Sequence, residues 1–413
     1  MSSAPGGTPT IAIFDANYAS ARWFARAFSR LGYRYQVYHH AKQCVARYSR
    51  YAPSIKLCPN PNDLDVFGRW ATQQVQAGEF DLIAPTSDLI SFYLAQVLPH
   101  SPEALQVRMP RPEDLLGCLF KDRFISMAQA RGVAVPRTAC AESIDGLIEE
   151  ARSSVGFPLV LKPRSHVAWV NERGRVVRDV DEMQSALQGM DLCGAVQGDY
   201  LRQNPAQVLP IAQAYLPAAA SNCVSVSGVF DAQGRCLARG GSVKLAQVPA
   251  TTGIGVAFRH ITDEAVLQVG EDAARKMIGC GLFELELVPD ADSDQWLALD
   301  LNPRAFGQMD LDIANNRDLP TLWGRSLCAE VQPVEAGHKR KIGFAVHPVF
   351  FPARLFLSKF GNMSKMKDVR ARFNFMGVWP TSLGWVTDDW IGNLAYCLRA
   401  IRMVPQMMRR PKL

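Results

Sequence analysis

Two short segments on either side of residue 290 constrain this chain more than any other part of it. In Phe283-Glu284-Leu285-Glu286-Leu287 acidic and apolar residues alternate strictly. The alternation resumes in Leu297-Ala298-Leu299-Asp300-Leu301-Asn302, after the interval Pro289-Asp290-Ala291-Asp292-Ser293-Asp294. A period of two belongs to a β-strand with one face buried, and the Pro/Asp-rich interval has turn chemistry. The pattern predicts a hairpin with Leu297, Leu299 and Leu301 facing the core beside Phe283, Leu285 and Leu287. On the opposite face Glu286, Asp300 and Asn302 converge. Oxygen donors in that number suit Mg²⁺, which keeps waters and bridges phosphates. Pro303 ends the second strand and sets Arg304 beside them. Alternation by itself is equally that of a solvated acidic sheet face.

Elsewhere the chain changes texture. Thr10 to Asp15 is an apolar strand, followed by a helical pattern (Trp23, Phe24, Ala27, Phe28, Leu31) that Gly32 stops. Tyr35 to His39 and Phe80 to Pro85 read as further strands. Thr86, Ser87 and Asp88 stand at a strand end, where ligands of a parallel sheet gather and where a helix cap also belongs. A dinucleotide-binding fold requires glycines after the first strand; Asp15-Ala16-Asn17-Tyr18-Ala19-Ser20-Ala21 has none, which argues against that class. Beyond Asp114, Lys121 to Arg131 is helical. Strands are expected at 157–163, 175–180, 211–216, 224–230, 238–245, 281–288 and 296–301, with a helix at 262–278, a mostly antiparallel arrangement.

Composition narrows the class. Of 413 residues, 48% are hydrophobic and 20% charged, a globular balance. The net charge of +6 is uneven: residues 335–413 hold 14 Lys/Arg against 4 Asp/Glu, and the remainder is slightly acidic. A nucleic-acid-coating protein spreads its cations along a face, so no nucleic-acid partner is expected. The ten cysteines form no C-x-x-C pair and read as reduced, buried apolar residues. No signal-peptide order and no apolar run of about 18 residues is present, so a cytoplasmic protein is expected.

Five segments together resemble the ATP-grasp superfamily, which includes D-alanine–D-alanine ligase, biotin carboxylase and the carbamoyl-phosphate synthetase large chain. Leu299-Asp300-Leu301-Asn302-Pro303-Arg304-Ala305-Phe306-Gly307 is similar to its "E-I-N-P-R-x-x-G" strand, and Gly281 to Glu286 to the preceding metal-ligand strand. Phe157 to Pro163 resembles the nucleotide-lysine strand. Lys121-Asp122-Arg123 with Gly132 to Thr138 resembles the segment of the other lysine, and Gln213-Ala214-Tyr215-Leu216-Pro217 the adenine hinge. The order and spacing hold from about residue 10 to 330.

The resemblance implies an N-terminal parallel α/β domain (1–115), an ATP-grasp lid (116–212), an antiparallel-sheet core with the metal site (213–332) and a basic C-terminal extension (333–413). It implies an ADP-forming ligase that joins a small-molecule carboxylate to an amine through an acyl-phosphate. ATP and Mg²⁺ (or Mn²⁺) are the implied cofactors. Lys121 and Lys162 would meet phosphates; Ser165, His166, Gln213, Ala214, Tyr215, Leu216 and Asn222 would line the nucleotide. Glu286, Asp300 and Asn302 would hold metal, while Arg304 and Lys244 would steady the transferring group. Cyclisation on the same scaffold, or a scaffold without turnover, are the rival readings.

The sequence departs from the family in four places. The loop Arg164-Ser165-His166-Val167-Ala168-Trp169-Val170 lacks the glycines of the usual phosphate lid, and resembles a subset of carboxylate–amine ligases. Asp300 stands where glutamate is usual, Gln213 replaces the hinge glutamate, and the ribose-binding acid falls near Ser221-Asn222. After residue 330 the resemblance fades. Asp388-Asp389 precede a helix from Trp390 whose apolar stripe (Leu394, Cys397, Leu398, Ile401) lies beside Arg399 and Arg402. The simplest expectation is a helix docked by that stripe with its basic side in water. A homodimer contact, a site that steers an acidic substrate, and a membrane-surface contact through residues 390–413 are the alternatives.

Overall fold

A computed structural model describes residues 8–167, 174–190, 198–220, 222–248, 254–291, 293–328, 331–333, 342–349 and 379–408. Among the described residues fifteen strands lie in three sheets. The first holds β1 (Thr10–Ile13), β2 (Arg34–His39), β3 (Ile55–Leu57) and β4 (Leu82–Ile83), ordered β3-β2-β1-β4 and parallel throughout. The short β3 was not legible: Ile55-Lys56-Leu57 carries no alternation long enough to register. The helix Ala19–Leu31 crosses between β1 and β2 and ends on Gly32, whose φ of 70° closes the cap and suits glycine.

The second sheet, β5-β8-β6-β7, is antiparallel. It comprises β5 (Thr138–Ala139), β6 (Leu159–Pro163), β7 (Arg175–Val177) and β8 (Pro210–Ala214). The third is the largest: β9 (Val224–Phe230), β10 (Cys236–Val248), β11 (Ile254–His260), β12 (Gly281–Pro289), β13 (Trp296–Asn302), β14 (Ile342–Val346) and β15 (Trp379–Ser382). Its order is β13-β12-β9-β10-β11-β14-β15, antiparallel except for the β14–β15 edge. This mixed α/β architecture, one parallel sheet followed by antiparallel ones, is the one expected from the sequence.

Two apolar cores hold the sheets. One joins Ile11, Phe14, Phe24, Phe28, Phe67 and Phe80 to Trp323 of the helix Leu319–Ser326 and runs on to Leu159 and Leu161. The other lies under the helix Glu264–Ile278, where Met277 and Ile278 meet Phe230, Phe283, Leu285 and Leu301. β9 and β10 approach closely enough that a Cβ on Gly228 would sit 2.5 Å from the Ala238 carbonyl oxygen, so only glycine fits there.

Among the described residues after 332, β14 and β15 extend the large sheet. The helix Trp390–Met408 departs from expectation in orientation. Arg22, fully buried, donates to the Gly384 carbonyl (2.6 Å), to Asn393 Oδ1 (2.9 Å) and to Asp389 (3.4 Å). Asp389 accepts from Ser49 Oγ (2.7 Å) and the Arg50 N–H (3.1 Å); it anchors the start of the helix to the turn Val45–Tyr48 and the residues after it. This network faces Gly392, Asn393 and Ala400 inward, and Leu394, Leu398 and Ile401 lie exposed. Burying a paired arginine fixes the helix face that would otherwise have been chosen by hydrophobicity.

Candidate active site

The hairpin β12–β13 forms the floor of the site. Its register sets Glu286 opposite Asp300 and Glu284 opposite Asn302, while β9 sets Ser225 and Ser227 against the two glutamates. Residues directly opposite in an antiparallel pair share a face, so the expected convergence is realised. Phe283, Leu285, Leu287 and Leu301 occupy the core below.

One part of the alternation does not hold. The register slips after Glu286, so that Leu287 pairs with Ala298. The extra residue, Leu299, leaves the main core and packs with Cys223 and Val288 beside Leu216, Ala218 and Ala219, while Ala298 takes the core position. Leu297 is only half-buried. A bulge re-aims one side chain, and here it lays apolar surface against the segment after β8.

Four cations meet the acidic floor. Lys244, on β10, donates to Glu286 Oε1 at 3.2 Å. Its ammonium holds the Glu286 carboxyl below the ordinary range, and Glu286 in turn raises Lys244; it is a partnered lysine and not a solvated one. Lys121 opens the helix Lys121–Ala130 and donates to Asp300 Oδ2 at 2.8 Å. Lys162, on β6, donates to Gln213 Oε1 at 2.7 Å, and Gln213 Nε2 donates to Thr138 Oγ1 at 3.1 Å. Burial first, and then the nearby Lys121 charge, pull Lys162 down to about 8.

The fourth cation, Arg304, links the end of β13 to the helix Asp88–Val97. It donates twice to Asp88 (2.6 and 3.0 Å) and once to Asn302 Oδ1 (2.8 Å). Asn302 Nδ2 donates to Glu284 Oε2 (2.6 Å), and Gln308 Nε2 to Glu284 Oε1 (3.0 Å). Burial would raise Asp88, but Arg304 outweighs it and holds the carboxyl below its usual value. Beside this chain, Asp15 lies two residues after β1 at φ 59°, in the left-handed region that Asp tolerates better than most residues. It accepts from Thr86 Oγ1 at 2.8 Å. Burial pushes its carboxyl up against the lowering effect of the Ser87 and Thr86 hydroxyls.

The strand-end residues thus divide their work. Ser87 caps the helix Asp88–Val97 through the Ile90 N–H, Thr86 binds Asp15, and Asp88 binds Arg304. Asp88 was read only as one of a strand-end group open to ligand binding or capping, and Asp15, Thr138 and Gln308 were not predicted as site residues. No sequence signal pairs Asp88 with Arg304, since short motifs carry no long-range contact. Glu284 was visible in the alternation and acts as the acceptor that fixes Asn302.

The remaining predicted residues surround this floor. Ser165 is buried and accepts from the Val167 N–H at 3.0 Å, and His166 is exposed; residues 168–170 of the loop lie outside the described residues. The Arg164 carbonyl accepts from the Lys121 N–H at 2.8 Å, tying that loop to the lysine helix. In the hinge, the N–H groups of Ala214 and Tyr215 donate to the carbonyls of Arg137 and Pro158 (2.9 and 3.2 Å). Leu216 borders the Leu299 cluster. Asn222 is exposed, its N–H on the Ala218 carbonyl at 2.7 Å; Ser221 lies outside the described residues. A surface depression of about 410 Å³ beside Leu64, Arg69, Gln73 and Gln96 contains none of these residues.

The donor set, two opposed carboxylates with an amide oxygen nearby, is all hard oxygen and fits Mg²⁺. Among the described residues no group of three or more His, Cys, Asp and Glu stands ready as a cation cage.

This arrangement defines the class of fold. The chain has the fold of the ATP-grasp superfamily, as its sequence motifs led one to expect. Solved structures share it across most of the chain. L-amino acid ligase from Bacillus licheniformis matches with a TM-score of 0.62 and 14% identity, over 82% of this chain and 79% of that one. A biotin carboxylase from Campylobacter jejuni, in a β-γ-ATP complex, matches at 0.60 and 16%, over 79% and 72%. N5-carboxyaminoimidazole synthetase from Staphylococcus aureus, complexed with ADP, matches at 0.58 and 14%, over 81% of each chain. No protein-family model matches the sequence, and no curated protein matches it.

Proposed function

We propose that this protein is an ADP-forming ligase that joins a carboxylate to an amine. The observation that carries the reading is the floor itself: Glu286 and Asp300 directly opposed, each in contact with a lysine, with Lys162 and Arg304 at its margins. Phosphoryl transfer asks for positioned cations and metal-binding oxygens more than for a nucleophilic side chain, and this floor supplies both. The neighbours named above, two of which were solved with nucleotides, support nucleotide use.

In this reading the substrate carboxylate attacks the γ-phosphorus of ATP, giving an acyl-phosphate and ADP. The amine nitrogen then attacks the acyl carbon, phosphate departs, and the nitrogen loses a proton to form the amide. Glu286, Asp300 and Asn302 would hold Mg²⁺, which neutralises phosphate charge. Lys121 and Lys162 would turn from Asp300 and Gln213 toward phosphate oxygens. Arg304, held by Asp88, would face the charge on the transferring group, and Lys244 would keep Glu286 ionised. The apolar patch of Leu216, Cys223, Val288 and Leu299 suits a nucleobase.

The test is ADP release by purified protein over a panel of carboxylate and amine pairs. Release with at least one pair, abolished in Asn302→Ala, supports the ligase. A nucleotide-binding scaffold is the rival, favoured by the glycine-free Arg164 to Val170 loop; it predicts a Mg²⁺-dependent thermal shift with ATP and no turnover with any pair.

A further inference from the structure

The helix Trp390–Met408 presents an apolar stripe that the fold leaves uncovered among the described residues. Trp390 is 70% exposed, Leu394 54%, Leu398 51% and Ile401 54%, with Ile391 at 47% beside them. Spacings of four, four and three put these residues along one side of a helix. Single exposed apolar residues are ordinary, but a contiguous run marks an interaction surface. The opposite side is already used, since Asn393 and Ala400 are buried, Asn393 in contact with Arg22.

The charge around the stripe selects its occupant. From Ile391 to Leu413 the sequence has no acid and five Lys/Arg. Arg402 is exposed, and Arg399 donates to the Asn17 carbonyl at 3.3 Å, with its guanidinium over the Tyr18 ring. The helix packs on the turn Val45–Tyr48, in which Arg47 and Tyr48 are exposed, as are the flanking Lys42 and Arg50. An apolar stripe with Trp on a basic, acid-free helix is the composition of an interfacial helix drawn to anionic lipid. No helix among the described residues is long and apolar enough to cross a membrane, so the contact lies at the surface. A second copy of the chain fits less well: it would set two acid-free helices against each other. One helix stripe also covers only a few hundred Å², short of the roughly 800 Å² per partner of a stable dimer.

We propose that this face docks on an anionic lipid bilayer, with Trp390, Leu394, Leu398 and Ile401 entering the headgroup region and the surrounding arginines meeting lipid phosphates. The proposal stands apart from the ligase reading and is tested without turnover. The full chain is floated with vesicles of phosphatidylcholine carrying about 30% phosphatidylglycerol, and with vesicles of phosphatidylcholine alone. Expected are flotation with the anionic vesicles, a blue shift of tryptophan emission, and a partition coefficient that falls steeply with salt. Leu394→Ser/Leu398→Ser should lower partitioning by about tenfold or more. Both side chains are exposed, so the variant should keep the wild-type melting temperature. The proposal is overturned if the wild type fails to float, if it floats equally with neutral vesicles at high salt, or if the variant floats as well as the wild type. It is equally overturned if sedimentation shows a dimer without lipid that the variant loses, which would assign the face to a second copy.

Discussion

Arg304 grips both carboxylate oxygens of Asp88, at 2.6 and 3.0 Å, and so fastens the strand end of the β12–β13 hairpin to the first helical turn beyond the parallel sheet. Both side chains are largely shielded, at 18% and 17% exposure. Removing one member of such a pair leaves the other charge uncompensated. Asp88→Ala should therefore cost about 2–4 kcal/mol in chemical denaturation. Arg304→Lys should not restore activity, because an ammonium cannot reproduce the two-pronged contact. An Asp88→Ala protein as stable as the wild type would remove the structural role assigned here.

The pull on Lys162 toward about 8 predicts a pH dependence of nucleotide affinity. Phosphate favours the charged lysine, so binding is strongest below that value and weakens as pH rises through it. The limiting loss is tenfold per pH unit for one proton. Titration calorimetry with ADP between pH 7 and 10 should show the decline together with proton uptake above pH 8. Lys162→Arg, which stays charged, should flatten the curve.

Glu286→Gln and Asp300→Asn each remove a candidate metal donor while nearly preserving volume. Both should raise the Mg²⁺ concentration needed for half-maximal ADP release by about tenfold or more. Binding of nucleotide without metal should change less, or strengthen, since Lys244 or Lys121 is then released toward phosphate. A Mg²⁺ dependence identical to the wild type in both variants would move the metal elsewhere.

Arg22 bonds to Gly384, Asn393 and Asp389 inside the protein. Arg22→Met removes the charge and strands the acceptors, with an expected loss of about 3–5 kcal/mol in denaturation. Limited proteolysis should then release the segment from residue 379 onward before the rest of the chain. Asn393→Ala should show the same release to a smaller degree.

Much of this architecture was legible in the residues. The β12–β13 hairpin announced itself because alternation reports burial on one face directly, and Glu286 and Asp300 do face each other. The helices at residues 121–130 and 264–278 were readable from the sequence to within two residues, and for the helix at 19–31 the apolar pattern from Trp23 and the stop at Gly32 were readable but the start was not. β3 was too short to show a pattern, and β11 was masked by the glycines at 253 and 255. The Leu299 bulge was invisible because a register slip is a property of two strands together. Thr86, Ser87 and Asp88 were seen as a group, but their separate partners lie on other elements.

The sequence alone determined the local periods, the five ordered motifs, the basic bias of the last eighty residues and, through them, the fold class. Only the tertiary structure decided which charges meet: Asp88 with Arg304, Lys121 with Asp300, Lys244 with Glu286. It also decided that the last helix buries Asn393 and exposes Leu394, the reverse of what its hydrophobic pattern suggested. The physical reason is common to both. A periodic pattern records how one element meets its average surroundings, whereas an ion pair or a buried arginine network depends on elements hundreds of residues apart arriving together. Such a network, once buried, costs too much to leave unpaired, and it overrides the preference of a single helix face.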